Sequence, residues 1–315
     1  MPRRGPTIAM GKSREALPNL KTRPPHLHTM LDALQQKVQS LELMKIVLHV
    51  TLAGIFFKRG LLPLVTFGER SLSIPKTSSR SGSHIHSYDE FTSGKKTSQA
   101  DGHTFQVKAM ERGVDSQTDQ VLDLLEGSIF EVLVRRRLQA VKFSIIKTIE
   151  QPIEIVETYT IAFDYQNEHF SGTERVEFDG NTELNTEKDD MNAPVRKFRS
   201  TVDVIKGIKQ MDRLLAPFTT TLTKLPSTRA LGVFLFYTDD CPDEYQAPDF
   251  VEAGDFLFKF TCDEEQAVRK LSCGGISTGY HSASLRVSYL NPLATSCRSS
   301  EAQLSPRSAC PSRGG

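Results

Sequence analysis

Two groups of side chains in this 315-residue sequence have the types and spacing that chemistry would need. Cys273 and His281 bracket a glycine-rich stretch (Gly274, Gly275, Gly279) and are the residue types of a thiolate nucleophile and its base. A hydrolase built on them would also need oxyanion donors, and a lone Cys in a Gly-rich loop supplies none, so this is a remote reading. His84, His86 and Asp89 set a His-x-His pair near a carboxylate. Structural zinc takes four ligands on a rigid frame, and nothing nearby provides the fourth, so these read as solvated loop residues.

The remaining motifs are absent. Cys241, Cys262, Cys273, Cys297 and Cys310 form no C-x-x-C pair, and no G-x-S-x-G, H-E-x-x-H, phosphate-loop or G-x-G-x-x-G sequence occurs. No metal, cofactor or catalytic residue is expected, and a binding module is favoured over an enzyme. With 39 Lys+Arg against 38 Asp+Glu, the net charge of +1 argues against a body that grips nucleic acid or anionic lipid as a whole. Basic residues are not interleaved with aromatics on any strand, so no base-stacking surface is indicated. Five scattered Cys make no disulfide scaffold and suit a reduced, intracellular setting.

The elements that would position a binding site follow from periodicity. Residues 1–29 form a basic, proline-broken arm, expected to be disordered. Over 31–59, Leu31, Leu34, Val38, Leu41, Met44, Leu48, Leu52 and Ile55 recur at three- and four-residue steps, predicting a long helix that ends at Gly60. Its most apolar run, 46–57, is shorter than the ~20 residues of a membrane span, so no membrane is expected. Residues 71–98 are Ser- and Thr-rich and read as a mobile loop. A second helix is predicted over 116–133, closed by Arg135, Arg136 and Arg137, whose charges suit the negative end of the helix dipole.

Strands follow. Val141, Phe143 and Ile145 alternate with polar residues, as do Tyr159, Ile161, Phe163 and Tyr165, which fits antiparallel strands covered on one face. The acidic stretch 181–191 has no periodicity and reads as a loop. A third helix starts at Ser200 or Thr201 and should end or kink at Pro217. Residues 231–237 are apolar on both alternating sets, predicting a central strand. Phe256, Phe258 and Phe260 alternate through one more strand, the three glycines mark a loop, and 284–290 makes a last strand. The tail from 291 to 315 is expected to be disordered. The fold class is α+β: a largely antiparallel sheet covered by three helices, in one domain over residues 30–290.

Six segments, in order, resemble HORMA-domain proteins of the meiotic chromosome axis: 40–63 (SLELMKIVLHVTLAGIFFKRGLLP), 88–94 (YDEFTSG), 108–126 (KAMERGVDSQTDQVLDLLE), 157–165 (ETYTIAFDY), 235–250 (LFYTDDCPDEYQAPDF) and 278–287 (TGYHSASLRV). The resemblance implies an adaptor that wraps a C-terminal safety belt around a short closure-motif peptide of an axis protein, which adds a strand to the sheet. It also implies slow dissociation, resetting by an AAA+ ATPase remodeller, and indirect association with chromatin. The nucleus and chromosome would be its location, and axis assembly, recombination and synapsis its roles. A HORMA adaptor of spindle-checkpoint or DNA-repair complexes is the alternative. The belt would lie within 262–290, with Tyr280, His281, Leu285 and Val287 as peptide-binding residues and Phe256, Phe258 and Phe260 in the preceding strand. Leu285 and Val287 suit a core position equally well, and His281 suits a structural one. Ser98 and Ser116, each before Gln, resemble kinase sites of the family. Residues 71–87 look like additional sequence, and Pro217 falls where family members continue a helix. The family's zinc-containing chromatin reader and self-assembly motif are not seen up to Gly315, so neither activity is expected.

Overall fold

The computed structural model describes residues 25–74, 87–94, 103–150, 153–165, 196–197, 201–253, 258–260 and 266–292. Helix α1 (Pro25–Arg59) carries the later part of the predicted stripe into the core, with Met44, Leu48 and Ile55 fully buried, while Leu34 and Val38 stay exposed. It starts earlier than the arm 1–29 allows, because proline at a first helical position gives up no hydrogen bond. By length and composition α1 is apolar enough to cross a membrane. Its apolar residues are instead spent on the protein core, as the burial of Ile46, Val47, Leu52 and Phe56 shows.

Strands β1 (Phe67–Ile74) and β2 (His103–Met110) form an antiparallel ribbon, and β2 packs on α1. Between them α2 (Tyr88–Ser93) is held by a reciprocal cap of Ser87 and Glu90 and closed by Gly94 at φ 63°. The loop expected over 71–98 is therefore corrected at the end of β1 and at α2, where a capping box and buried Tyr88 and Phe91 outweigh the Ser-rich composition. His84, His86 and Ser98 lie outside the described residues. Helix α3 (Ser116–Asp123), capped by Asp115, runs through a π-turn (Leu124–Ile129) into α4 (Phe130–Val134).

The main sheet has the order β5-β8-β9-β4-β3-β6. Its strands are β3 (Leu138–Thr148), β4 (Ile153–Tyr165), β5 (Arg196–Lys197), β6 (Ala230–Tyr237), β8 (Gln266–Ser277) and β9 (His281–Pro292). A short β7 (Phe258–Phe260) pairs in parallel with the start of β4. Helix α5 (Thr201–Thr221) packs on α1 and β8. One face of the sheet, carrying Phe143, Tyr159, Ile161, Leu285 and Val287, meets α1 and α5 in a single core. Register and alternation place Phe234, Lys142, Thr160, Arg286 and Ser272 in one row on the opposite face.

Three further expectations change. Pro217 does not end the third helix: α5 continues to Thr221, because Val204, Ile205, Ile208, Met211 and Leu215 are already buried. That packing outweighs one lost backbone bond near a helix end. Residues 231–237 form an edge strand and not a central one, since β6 ends the sheet. Of its two apolar sets only Val233, Leu235 and Tyr237 pack on the core, and every position from Ala230 to Tyr237 is half-buried or exposed. Gly274 and Gly275 mark a bulge inside β8 and not a loop: Gly274 takes φ 84°, and a Cβ at Gly275 would stand 2.8 Å from the Ala283 carbonyl.

A buried ion pair locks these layers together. Arg59, at the end of α1, donates through Nε to Glu157 Oε2 of β4 at 3.0 Å and through NH2 to the Thr223 carbonyl beyond α5 at 2.8 Å. Tyr159 donates its hydroxyl to the same Glu157 oxygen at 2.8 Å.

Candidate functional site

The C-terminal hairpin β8–β9 lies inside the main sheet, with β9 paired along β4 from Glu157–Tyr289 to Tyr165–His281. Its residues split by alternation. Leu285 and Val287 are fully buried against the helices, while Arg286 between them is exposed. Tyr280 sits at the turn and donates to Gln36 Oε1 of α1 at 3.3 Å. His281 is 3% exposed and stacks edge-on against Tyr165. Phe260 is half-buried in β7, and Phe256 lies outside the described residues. The structure thus brings His281, Leu285 and Val287 together in the hairpin's core face. It does not place them at the open border of the sheet.

A hydroxyl relay ties this hairpin to α1. Ser40 Oγ lies 2.6 Å from His281 Nδ1 and also contacts Thr278 Oγ1. Thr278 Oγ1 donates to the His281 carbonyl at 3.0 Å. One hydrogen per hydroxyl then sets the direction: His281 Nδ1–H donates to Ser40, and Ser40 donates to Thr278. Burial, with Arg136 and Lys37 nearby, pulls the His281 pKa down to about 4. Burial pushes the Cys273 thiol up to about 12. A neutral thiol and a histidine already engaged by Ser40 do not make a nucleophile and its base, which leaves the hydrolase reading without its geometry.

A second buried histidine gave no signal within its apolar run. His49 Nε2 accepts from the Met110 N–H at 3.0 Å, so Nδ1 keeps its proton and donates to Tyr88 Oη at 2.8 Å. Tyr88 donates to Glu126 Oε1 at 2.9 Å, and Arg112 closes the chain on Glu126 Oε2 at 2.8 Å. Burial, then the Arg70 charge, holds His49 down at about 3. Both histidines are neutral when folded and bind protons near 6.5 when unfolded. Stability should therefore fall as pH drops through 6.5, through both sites down to about 4 and through His49 alone down to about 3. The two sites together contribute up to ~2.7 kcal/mol per pH unit in that window. Urea midpoints at pH 7.5, 6 and 5 check this, and His281→Gln should flatten the slope.

Among the described residues the outer side of β8 meets β5 only at Ile276 and Ser277, and the sheet's opposite border is β6. Among the described residues no strand pairs with its outer side. Val233, Leu235 and Tyr237 lean on the core, while Leu231 stays 37% exposed. At the β6 C-terminal end the chain is pinned down. Tyr245 lies under Arg137, whose guanidinium is 4.4 Å from the ring centroid, and packs edge-on against Tyr237. Ser128 donates to Asp249 at 2.9 Å, and Ala247 is buried. At the other end of the sheet, Phe258 pairs with Ile153. Val251, just past the anchored turn, is 86% exposed. Ser116 is exposed at the first residue of α3. Among the described residues no three His, Cys, Asp or Glu side chains converge as a metal site.

A HORMA domain model matches residues 40–281. The Saccharomyces cerevisiae meiosis-specific protein HOP1 is 25% identical over 258 residues, which cover 79% of this chain. This chain spans 38% of that curated relative's length. Caenorhabditis elegans HTP-2 bound to the HIM-3 closure motif has a similar solved structure, at TM-score 0.54 and 14% identity, covering 80% of this chain and 91% of that one. C. elegans HTP-1 bound to the HIM-3 closure motif gives TM-score 0.50 and 16% identity, with 78% and 88% covered. These likenesses establish the fold.

Proposed function

The chain belongs to the HORMA domain family, and from that premise we propose that it is a peptide-clasping adaptor of the meiotic chromosome axis, without catalytic chemistry of its own. The observation that carries this reading is the open border of β6, with the chain anchored at its C-terminal end by Tyr245. A short extended peptide adds a strand there, taking its affinity from backbone hydrogen bonds and its register from side-chain pockets. The likeness to HOP1, and to worm proteins seen with closure motifs, supports a closure-motif peptide of an axis protein as the guest. It likewise supports work on chromosomes in the nucleus, in axis assembly, recombination and synapsis.

The predicted belt residues take a different part in this reading. His281, Leu285 and Val287 secure the β8–β9 hairpin, so a belt strap that leaves the anchored turn at Val251 has a fixed support to close against. Release then requires local opening, which makes dissociation slow and gives an AAA+ remodeller a task. Peptides captured from a library of axis proteins by the purified chain test this through amide hydrogen exchange. Strong protection of residues 230–237 on binding is expected. Protection elsewhere with β6 unchanged would overturn it.

A further inference from the structure

We infer that the guest strand carries an Asp or Glu side chain on the helix-free face of the sheet, paired there with Lys142. This rests on the peptide-clasping reading above and names the chemistry of its ligand. Lys142 lies mid-way along β3, opposite Phe234 of β6 and Thr160 of β4. Its Nζ stands 4.9 Å from the centroid of the Phe236 ring, which belongs to the edge strand. The ammonium therefore sits beside a ring of the edge strand, and the line a guest backbone would follow is two strand spacings, ~10 Å, from β3, within the joint reach of a Lys and an acidic side chain. A carboxylate on the same face of that guest reaches back to meet the ammonium.

Among the described residues no acid pairs with Lys142. Glu154 is taken by Lys147 at 3.2 Å. Asp164 is exposed and lies four residues along β4 from Thr160, roughly 13 Å away at the strand rise. Lys142 is half-buried, and burial alone lowers its pKa. Among the described residues, this ammonium, drawn out of water beside the Phe236 ring, has no carboxylate counter-ion of the kind that buried charges ordinarily carry. On the opposite face, Val233 and Leu235 offer the guest an apolar neighbour. The recognised strand thus alternates an acid with apolar residues.

The test pans a display library of randomised twelve-residue peptides on the full chain, as wild type, Lys142→Met and Lys142→Glu. Wild type should enrich Asp or Glu at one fixed register position, Lys142→Met should lose that preference, and Lys142→Glu should select Lys or Arg there. For a single wild-type-selected peptide, Lys142→Met should weaken binding about 10- to 100-fold, the worth of one charged hydrogen bond. Lys142→Met should melt no lower than wild type, because it removes a charge and no partner. Peptides captured without a preferred acid, or the same acid preference on Lys142→Glu, would overturn the pairing and leave the clasp standing. No capture by any of the three would overturn both.

Discussion

Glu157→Ala is expected to destabilise the domain by about 3–5 kcal/mol, the cost of leaving a buried cation without its partner. The Arg59 and Glu157 side chains are 7% and 2% exposed, so water cannot replace what the substitution removes. The pair joins the end of α1 to β4 and, through the Thr223 carbonyl, to the end of α5. At roughly 2–4 °C per kcal/mol for a domain of this size, the melting midpoint should drop by about 10 °C or more. Replacing both partners, Arg59→Met with Glu157→Leu, should recover most of the loss because no buried charge remains. Urea unfolding measures all three. A Glu157→Ala loss below ~1 kcal/mol would mean the pair is hydrated and contributes as little as a surface bridge.

Cutting the strap should release the guest. A protease site inserted after Val251 lies in chain that is already exposed, so cleavage spares the core. The C-terminal fragment stays in place through the pairing of β9 with β4 and the burial of Leu285 and Val287. Peptide bound before the cut should then leave on the order of 100-fold faster, as if ~3 kcal/mol of local opening were no longer required. Thermal melting should be nearly unchanged. The same off-rate before and after cleavage would mean that no strap retains the peptide.

Much of this architecture was legible because burial imposes periodicity. The α1 stripe, the alternation through Val141–Ile145 and Tyr159–Tyr165, and the α5 stripe each predicted an element that exists. What periodicity cannot report is which border of a strand is paired. Residues 231–237 look like a central strand because both alternating sets are apolar, yet the outer hydrogen bonds of β6 have no strand to meet among the described residues. Glycine was misread for a related reason. Gly274 and Gly275 break the pattern as a loop would, but the partner carbonyl of Ala283 explains why β8 needs them. The resemblance supplied the fold. It did not separate hairpin residues that fill the core from border residues that can face a guest. Lys142 and His49 drew no attention because a charged residue in a strand and a histidine in an apolar run have no periodic signature. Their meaning lies in what tertiary structure sets beside them.

The longest helix has a mechanical consequence. At 1.5 Å per residue the 35 residues of α1 make a rod of about 52 Å. Residues 33–38 are exposed, and burial begins only around Ser40, beside the turn that carries Tyr280 and His281. The outer end is thus a lever arm with its fulcrum on the β8–β9 hairpin. Sideways load at the tip arrives multiplied at the Ser40–His281 contact, whereas the same load on the sheet is shared by every strand. A machine that grips this rod would pry at the molecule's latch before it strained anything else.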